Sequence, residues 1–183
     1  MGNVFFTADT HFHHGNIIKY CDRPFSTHQE MTEKLIENWN TRIKPGDTVY
    51  HLGDFGFAPA DILEQTLQRL NGQKFLVFGN HDKEIRRSAK LRAHFVKCSE
   101  LLEIYVNNKQ PVTLCHYAML VWNKSHHGAW MLHGHSHGSL TYPYQAKIMD
   151  VGVDANNYYP WSVAEITHKM SAISGTVIDH HGR

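Results

Sequence analysis

Asp9 and His11 stand two residues apart, and so do His135 and His137. On an extended segment, residues i and i+2 point the same way, so each pair can present two metal-ligand atoms to one side. Asp54, Asn80 and His116 add a carboxylate, a carboxamide and another imidazole at separate points along the chain. Imidazole mixed with carboxylate and carboxamide oxygen suits Mn, Fe, Zn or Ni, rather than an all-oxygen calcium site or a thiolate site. Seven such ligands exceed what one ion needs if it also keeps water. Two divalent ions about 3.5–4 Å apart, sharing a carboxylate, would use them all.

These residues must be carried to one place, and the surrounding patterns say how. Residues 4–8 form a short apolar run that reads as a buried strand and stops at Asp9-Thr10-His11. Thr27 and Glu30 make a capping-box pattern before Met31, Leu35, Trp39 and Ile43, which predicts a helix over about 28–43. Residues 48–52 read as a second strand ending in Gly53-Asp54. Pro59 opens a second helix with Ile62, Leu63, Leu67 and Leu70 on one face, closed by Asn71-Gly72. Residues 75–78 read as a third strand ending in Gly79-Asn80-His81-Asp82, followed by a helical stretch over 83–94. That alternation implies a largely parallel sheet with right-handed crossovers. Beyond residue 100 the chain turns strand-rich. A hairpin joins 101–106 to 111–116, 129–133 and 146–153 are strand candidates, and Ser162 with Glu165 caps a late helix. One domain with two packed sheets and outer helices is expected, and its strand ends would meet in a single polar pocket.

Asp9-x-His11, Gly53-Asp54, Gly79-Asn80-His81-Asp82, His116 and Gly134-His135-x-His137 together resemble the calcineurin-like metallophosphoesterase signature, in order, over about three quarters of the chain. The Asp9–Ile18 opening and the Leu132–Gly138 run resemble a compact bacterial and phage subgroup, most of whose members are described simply as phosphoesterases. The resemblance implies a four-layer α-β-β-α sandwich of two mixed sheets flanked by helices. It implies that Asp9, His11, Asp54 and His137 hold one ion, and that Asp54, Asn80, His116 and His135 hold the other. A hydroxide between two divalent transition metals, manganese first, would then attack phosphorus in line. His81 would protonate the leaving oxygen or hold a phosphate oxygen. In the phosphoprotein phosphatase branch, further Asp and Arg residues follow Gly-Asp, whereas here the run is Gly53-Asp54-Phe55-Gly56-Phe57-Ala58. That departure favours a small phosphodiester or nucleotide-type substrate. The alternative is a non-catalytic interaction scaffold on the same fold, in which eroded ligands would be expected.

Around these motifs, His14, Arg23, Trp122, His126 and His127 are candidate substrate contacts, the last three on a segment between two ligand-bearing strands. His13 divides evenly between substrate contact and solvated loop. His51 reads as a packed histidine, Trp39 and Trp161 as core, and the Arg86-Arg87 pair as a solvated helix face, while Asp82 divides evenly between a neighbour serving His81 and a turn residue. The 183 residues carry 18 Lys+Arg against 17 Asp+Glu, a balance that gives no nucleic-acid footprint. No apolar run reaches the roughly 20 residues of a membrane span. Three cysteines without metal-finger spacing read as reduced thiols, and with no signal-like opening a cytoplasmic location is expected.

Overall fold

The computed structural model describes residues 2–179 and 181. In chain order its first half runs β1 (Val4–Thr7), α1 (Gly15–Tyr20), α2 (His28–Arg42), β2 (Thr48–His51), α3 (Ala60–Arg69), β3 (Gln73–Val77), α4 (Lys83–Arg87), α5 (Ala89–Arg92) and β4 (Lys97–Ser99). The second half runs β5 (Leu101–Val106), β6 (Gln110–Cys115), β7 (Trp130–His133), β8 (Ile148–Asp150), β9 (Trp161–Ser162) and α6 (Val163–Ser171), with short 3-10 turns at Ser125–His127 and Val153–Asn156. One sheet has the order β4-β3-β2-β1-β9 and the other β5-β6-β7-β8. β1 to β4 are mutually parallel, and β9 joins β1 antiparallel. β5 is antiparallel to β6, while β6, β7 and β8 run parallel. Both sheets are therefore mixed, as expected.

The alternation of side chains along each strand decides which layer it meets. Phe5, Val49 and Leu76 face outward against Met31, Leu35 and Trp39 of α2 and Leu63 and Leu67 of α3. Phe6, Val77, Leu114, Trp130 and Leu132 face inward, and the two sheets close on this second cluster together with Ile166 and Met170 of α6. On the far face of the second sheet, Met131 and Ile148 are covered by Trp122, Ala129 and neighbouring residues of the long connections. Thr27 caps α2 by accepting the Glu30 N–H at 3.1 Å, and Ser162 with Glu165 completes a capping box on α6.

The expected 83–94 helix is split. Ser88 leaves helical geometry and accepts the Leu91 N–H at 3.2 Å, which starts α5 afresh. Serine competes well for such a cap and poorly for a helix interior. The expected 146–153 strand shrinks to Ile148–Asp150, and α1, β4 and β9 are too short to have shown a period.

Candidate metal centre

Parallel registration delivers the ligands. Thr7 lies opposite His51 and His51 opposite Leu76, so the chain leaves β1, β2 and β3 at one level. On the other sheet Leu114 lies opposite Leu132, and His133 opposite Asp150. A bridge between Ala8 and Gly152 joins the two sets of strand ends. There Asp9, His11 and His137 place ligand atoms within 4.8 Å of one another, and so do Asp54, His116 and His135. Asp54 stands between the groups, its Oδ2 lying 3.6 Å from His11 Nε2 and 3.6 Å from His116 Nε2.

The turns that hold these residues are strained. Asp9, His11, Asp54, His135 and His137 all have positive φ, between 47° and 69°. A left-handed backbone at a residue with a side chain costs on the order of 1–3 kcal/mol and persists only where surroundings enforce it. Some of that enforcement is visible. The buried Asp82 carboxylate accepts three N–H groups, from Gly79 at 2.8 Å, Phe55 at 2.8 Å and Asp54 at 3.0 Å. Of the two roles the sequence leaves open for Asp82, these bonds give it that of the turn residue. Gly79 is required by close approach, because a Cβ there would sit 2.2 Å from Asp54 Oδ1. Buried His51 links two ligand loops. Gly53 N–H donates to its Nδ1 at 3.2 Å, and the Thr10 hydroxyl, which donates to the Phe55 carbonyl, accepts from its Nε2 at 2.9 Å.

Several atoms here fit a cation and little else. His11 Nε2 is buried with no hydrogen-bond partner. His116 Nδ1 donates to the Leu52 carbonyl at 2.8 Å, which turns the Nε2 lone pair toward Asn80 Oδ1, 3.0 Å away. A shared cation would satisfy two acceptors placed face to face in this way. His137 Nδ1 donates to Asp154 at 2.7 Å, which likewise aims its Nε2 inward. Burial, with Asp150 and Asp54 beside it, holds the Asp9 carboxyl well above the usual carboxylate range. Burial, followed by the Arg23 charge and neighbouring imidazoles, holds His11 far below the usual histidine range. A divalent ion would relieve both at once.

His81 borders this group. Its N–H donates to Asp54 Oδ1 at 2.8 Å, and its ring lies 5.5 Å from that of His11. His14 also faces the site, 6.1 Å from the His81 ring. His13 turns away, its Nε2 2.8 Å from the Thr66 hydroxyl.

Four expected substrate contacts are corrected. Arg23 is buried, and its guanidinium is committed to Asp154 at 2.7 and 2.8 Å and to the carbonyls of Asp9 and Thr10 at 2.7 and 3.2 Å. Its fifth N–H points to Met31 Sδ at 3.4 Å, so it braces the first ligand loop from below and has no donor left for phosphate. Trp122 is buried and donates Nε1–H to the Ala129 carbonyl at 3.0 Å. Trp122 and His126 line a small cavity with residues 175–179, and His127 shares their turn. The cause is topological. β6 and β7 are parallel, so their connection must travel back to the start of β7, away from the strand ends that carry the ligands. The sequence reading passes over Asp150 and Asp154; Asp150 ends β8 as the candidate ligands end their strands, and its carboxylate accepts the N–H groups of Gly138 and Gly152 at 2.9 and 2.7 Å.

The sequence model of the calcineurin-like phosphoesterase superfamily domain matches residues 3–152. An uncharacterized protein of Methanocaldococcus jannaschii is 34% identical over 170 residues, covering 89% of this chain and 88% of that protein. The Gene 66 protein of Mycobacterium phage D29 is 27% identical over 185 residues, covering 85% of this chain and 89% of that protein. The crystal structure of a protein of unknown function from Aquifex aeolicus superposes with a TM-score of 0.73 at 26% identity, covering 92% of this chain and 100% of that one. With the family signature carried on aligned strand ends, the chain belongs to the calcineurin-like phosphoesterase superfamily.

Proposed function

We propose that the chain, as a single domain, is a dinuclear metal-dependent hydrolase of phosphoester bonds, with small phosphodiester or nucleotide-type substrates favoured over monoesters. The observation that carries this reading is the convergence of His11 Nε2 and His116 Nε2 on Asp54 Oδ2, each 3.6 Å away, with His11 Nε2 left without a hydrogen-bond partner among the described residues. In it Asp9, His11, Asp54 and His137 hold one ion, and Asp54, Asn80, His116 and His135 the other. Two divalent ions, manganese first and iron, zinc or nickel after it, would supply an acidified water and positive charge for the phosphoryl oxygens.

The chain's own residues do the rest. Leu52 and Asp154 fix the tautomers of His116 and His137. His81, tied through its backbone to Asp54, is the group that hands a proton to the leaving oxygen. The diester preference rests on a missing clamp, since Arg23 is consumed by Asp154 and no Arg follows Gly53-Asp54. A monoester dianion gains more from a guanidinium than a diester monoanion does. No helix among the described residues is long and apolar enough to cross a membrane. The three free cysteines suit a reducing, cytoplasmic compartment.

The test begins with chelator-stripped protein, reloaded with manganese and assayed on bis(p-nitrophenyl) phosphate. Metal should restore turnover, and elemental analysis should give two ions per chain. Asp54→Asn should lose both metal and turnover. A single ion in fully active protein overturns the dinuclear reading, and a flat response with every metal and phosphoester leaves the scaffold.

A further inference from the structure

A groove of about 680 Å³ opens on the side of the centre where His81 stands. That volume falls in the range of ligand sites, about 300–1,000 Å³. One wall is the loop leaving Asp54, the other is α4. Phe57 lines the first wall and is 57% exposed, and Lys83, Glu84 and Arg87 line the second.

The exposure of Phe57 is not slack in the loop. Its N–H donates to the Phe12 carbonyl at 2.9 Å, and a Cβ on Gly56 would meet Leu63 Cδ2 at 2.7 Å. The loop is pressed onto the core, buries Phe55 completely, and still holds the Phe57 ring in water. That ring lies 4.9 Å from His14 and 6.1 Å from His81, so a flat face borders the reaction centre. Lys83 and Arg87, four residues apart on α4, share one side of the helix. Both are exposed, and neither has an ion-pair partner among the described residues. Their neighbour Arg86 is instead bound to Glu100 and lies over the Phe78 ring. Glu84 is the carboxylate lining the groove, so two cations outweigh one anion there.

We infer that this groove is a subsite for the leaving half of the substrate, and that it takes an aromatic ring bearing an anionic group. The ring lies on Phe57 and the anion between Lys83 and Arg87. The inference rests on the phosphoesterase reading, because His81, the proton donor, stands at the mouth and so makes this the leaving side. Water forms the new bond to phosphorus and the P–O bond to the leaving half breaks. The electron pair stays on that oxygen, which takes the His81 proton, and the proton given up by the water later restores His81.

Adenosine 5′-monophosphate is a suitable probe, with adenosine and ribose 5-phosphate as its separate halves. Titrated calorimetrically into metal-free protein, it should bind more tightly than either half. Phe57→Ala should weaken it about tenfold, the usual effect of losing one stacking partner. The double variant Lys83→Ala/Arg87→Ala should weaken it comparably and flatten its salt dependence. In manganese-loaded protein, Phe57→Ala should also raise KM for bis(p-nitrophenyl) phosphate about tenfold, more than it lowers kcat. Unchanged affinity in these variants overturns the subsite. So does a probe that binds manganese-loaded protein but not metal-free protein, because it then sits at the metal centre alone. If the parent protein turns over no phosphoester, the functional reading fails, and the titration in metal-free protein still decides the groove.

Discussion

His81 is the side chain whose role separates chemistry supplied by metal from chemistry supplied by protein. Metal ions can activate water and neutralise phosphoryl oxygens, but they cannot protonate a poor leaving group. Among the described residues, the His81 imidazole makes no hydrogen bond, so it remains available for that transfer. His81→Ala should keep both metals and the fold. It should lose little rate on nitrophenolate esters and about 10²–10⁴-fold on alkoxide esters, the usual worth of general-acid help. Equal losses on both leaving groups, at matched metal content, would make His81 a holder of phosphoryl oxygen instead. At this scale the sequence was most legible where chemistry needs a fixed spacing, as at Asp9 and His11 or His135 and His137. It was least legible at Arg23, where an arginine beside a ligand loop reads as a phosphate clamp until burial and Asp154 are seen.

The elements converge, but the loops between them keep the ligands in place, and two cross-braces show how. Asp82 ties the loop after β2 to the loop after β3 through its three N–H acceptances. Asp82→Ala would leave those buried donors unpaired, at a cost of about 1–3 kcal/mol each before relaxation. Chemical denaturation should show that loss, and weaker metal binding should accompany it, because Asp54 sits in the released turn. Arg23 braces the loop after β1 against the 3-10 turn that carries Asp154. Arg23→Met would leave the Asp154 carboxylate with His137 as its remaining partner. Removing one partner of a buried pair costs up to about 3–5 kcal/mol, and less where another donor stays, a loss that urea unfolding would register. The long elements were readable from periodicity and caps, since α2 and α3 bury one face each and Ser162 announces α6. The short ones were not, because β9 has two residues and is a strand only through its pairing with β1. The return path of the β6–β7 connection was likewise hidden until the pairing direction was known, and that misplaced Trp122, His126 and His127.

For the whole molecule, the buried histidines set the response to acid. Burial, then the nearby His116, pushes His51 down to about 3, and burial also holds His11, His116 and His133 below their ordinary value. An unfolded chain takes up protons at such histidines near pH 6.5. Below that pH the unfolded state binds more protons than the native one, so stability rises with pH up to about 6.5 and levels off above it. Asp9 and Asp82 work in the opposite direction. Burial raises both carboxyls, so their contribution is present at low pH and lost as pH rises through the raised values. The net profile therefore mixes signs, and a difference between two proteins is the cleaner measurement. His51 is surrounded by Trp39, Phe55, Thr10 and Gly53 with no carboxylate bonded to it, so its ring has nothing to offset a charge. Protonation would also break the Gly53 N–H bond to Nδ1 and with it the link between two ligand loops. In His51→Gln the amide can still donate to Thr10 and accept from Gly53, but it takes up no proton. Melting curves of the two metal-free proteins should differ most above pH 6.5, where neutral His51 makes its full contribution. The gap should close as pH falls toward 3. A gap that stays constant from pH 7 to pH 4 would mean that the native state accommodates a charged ring at this position.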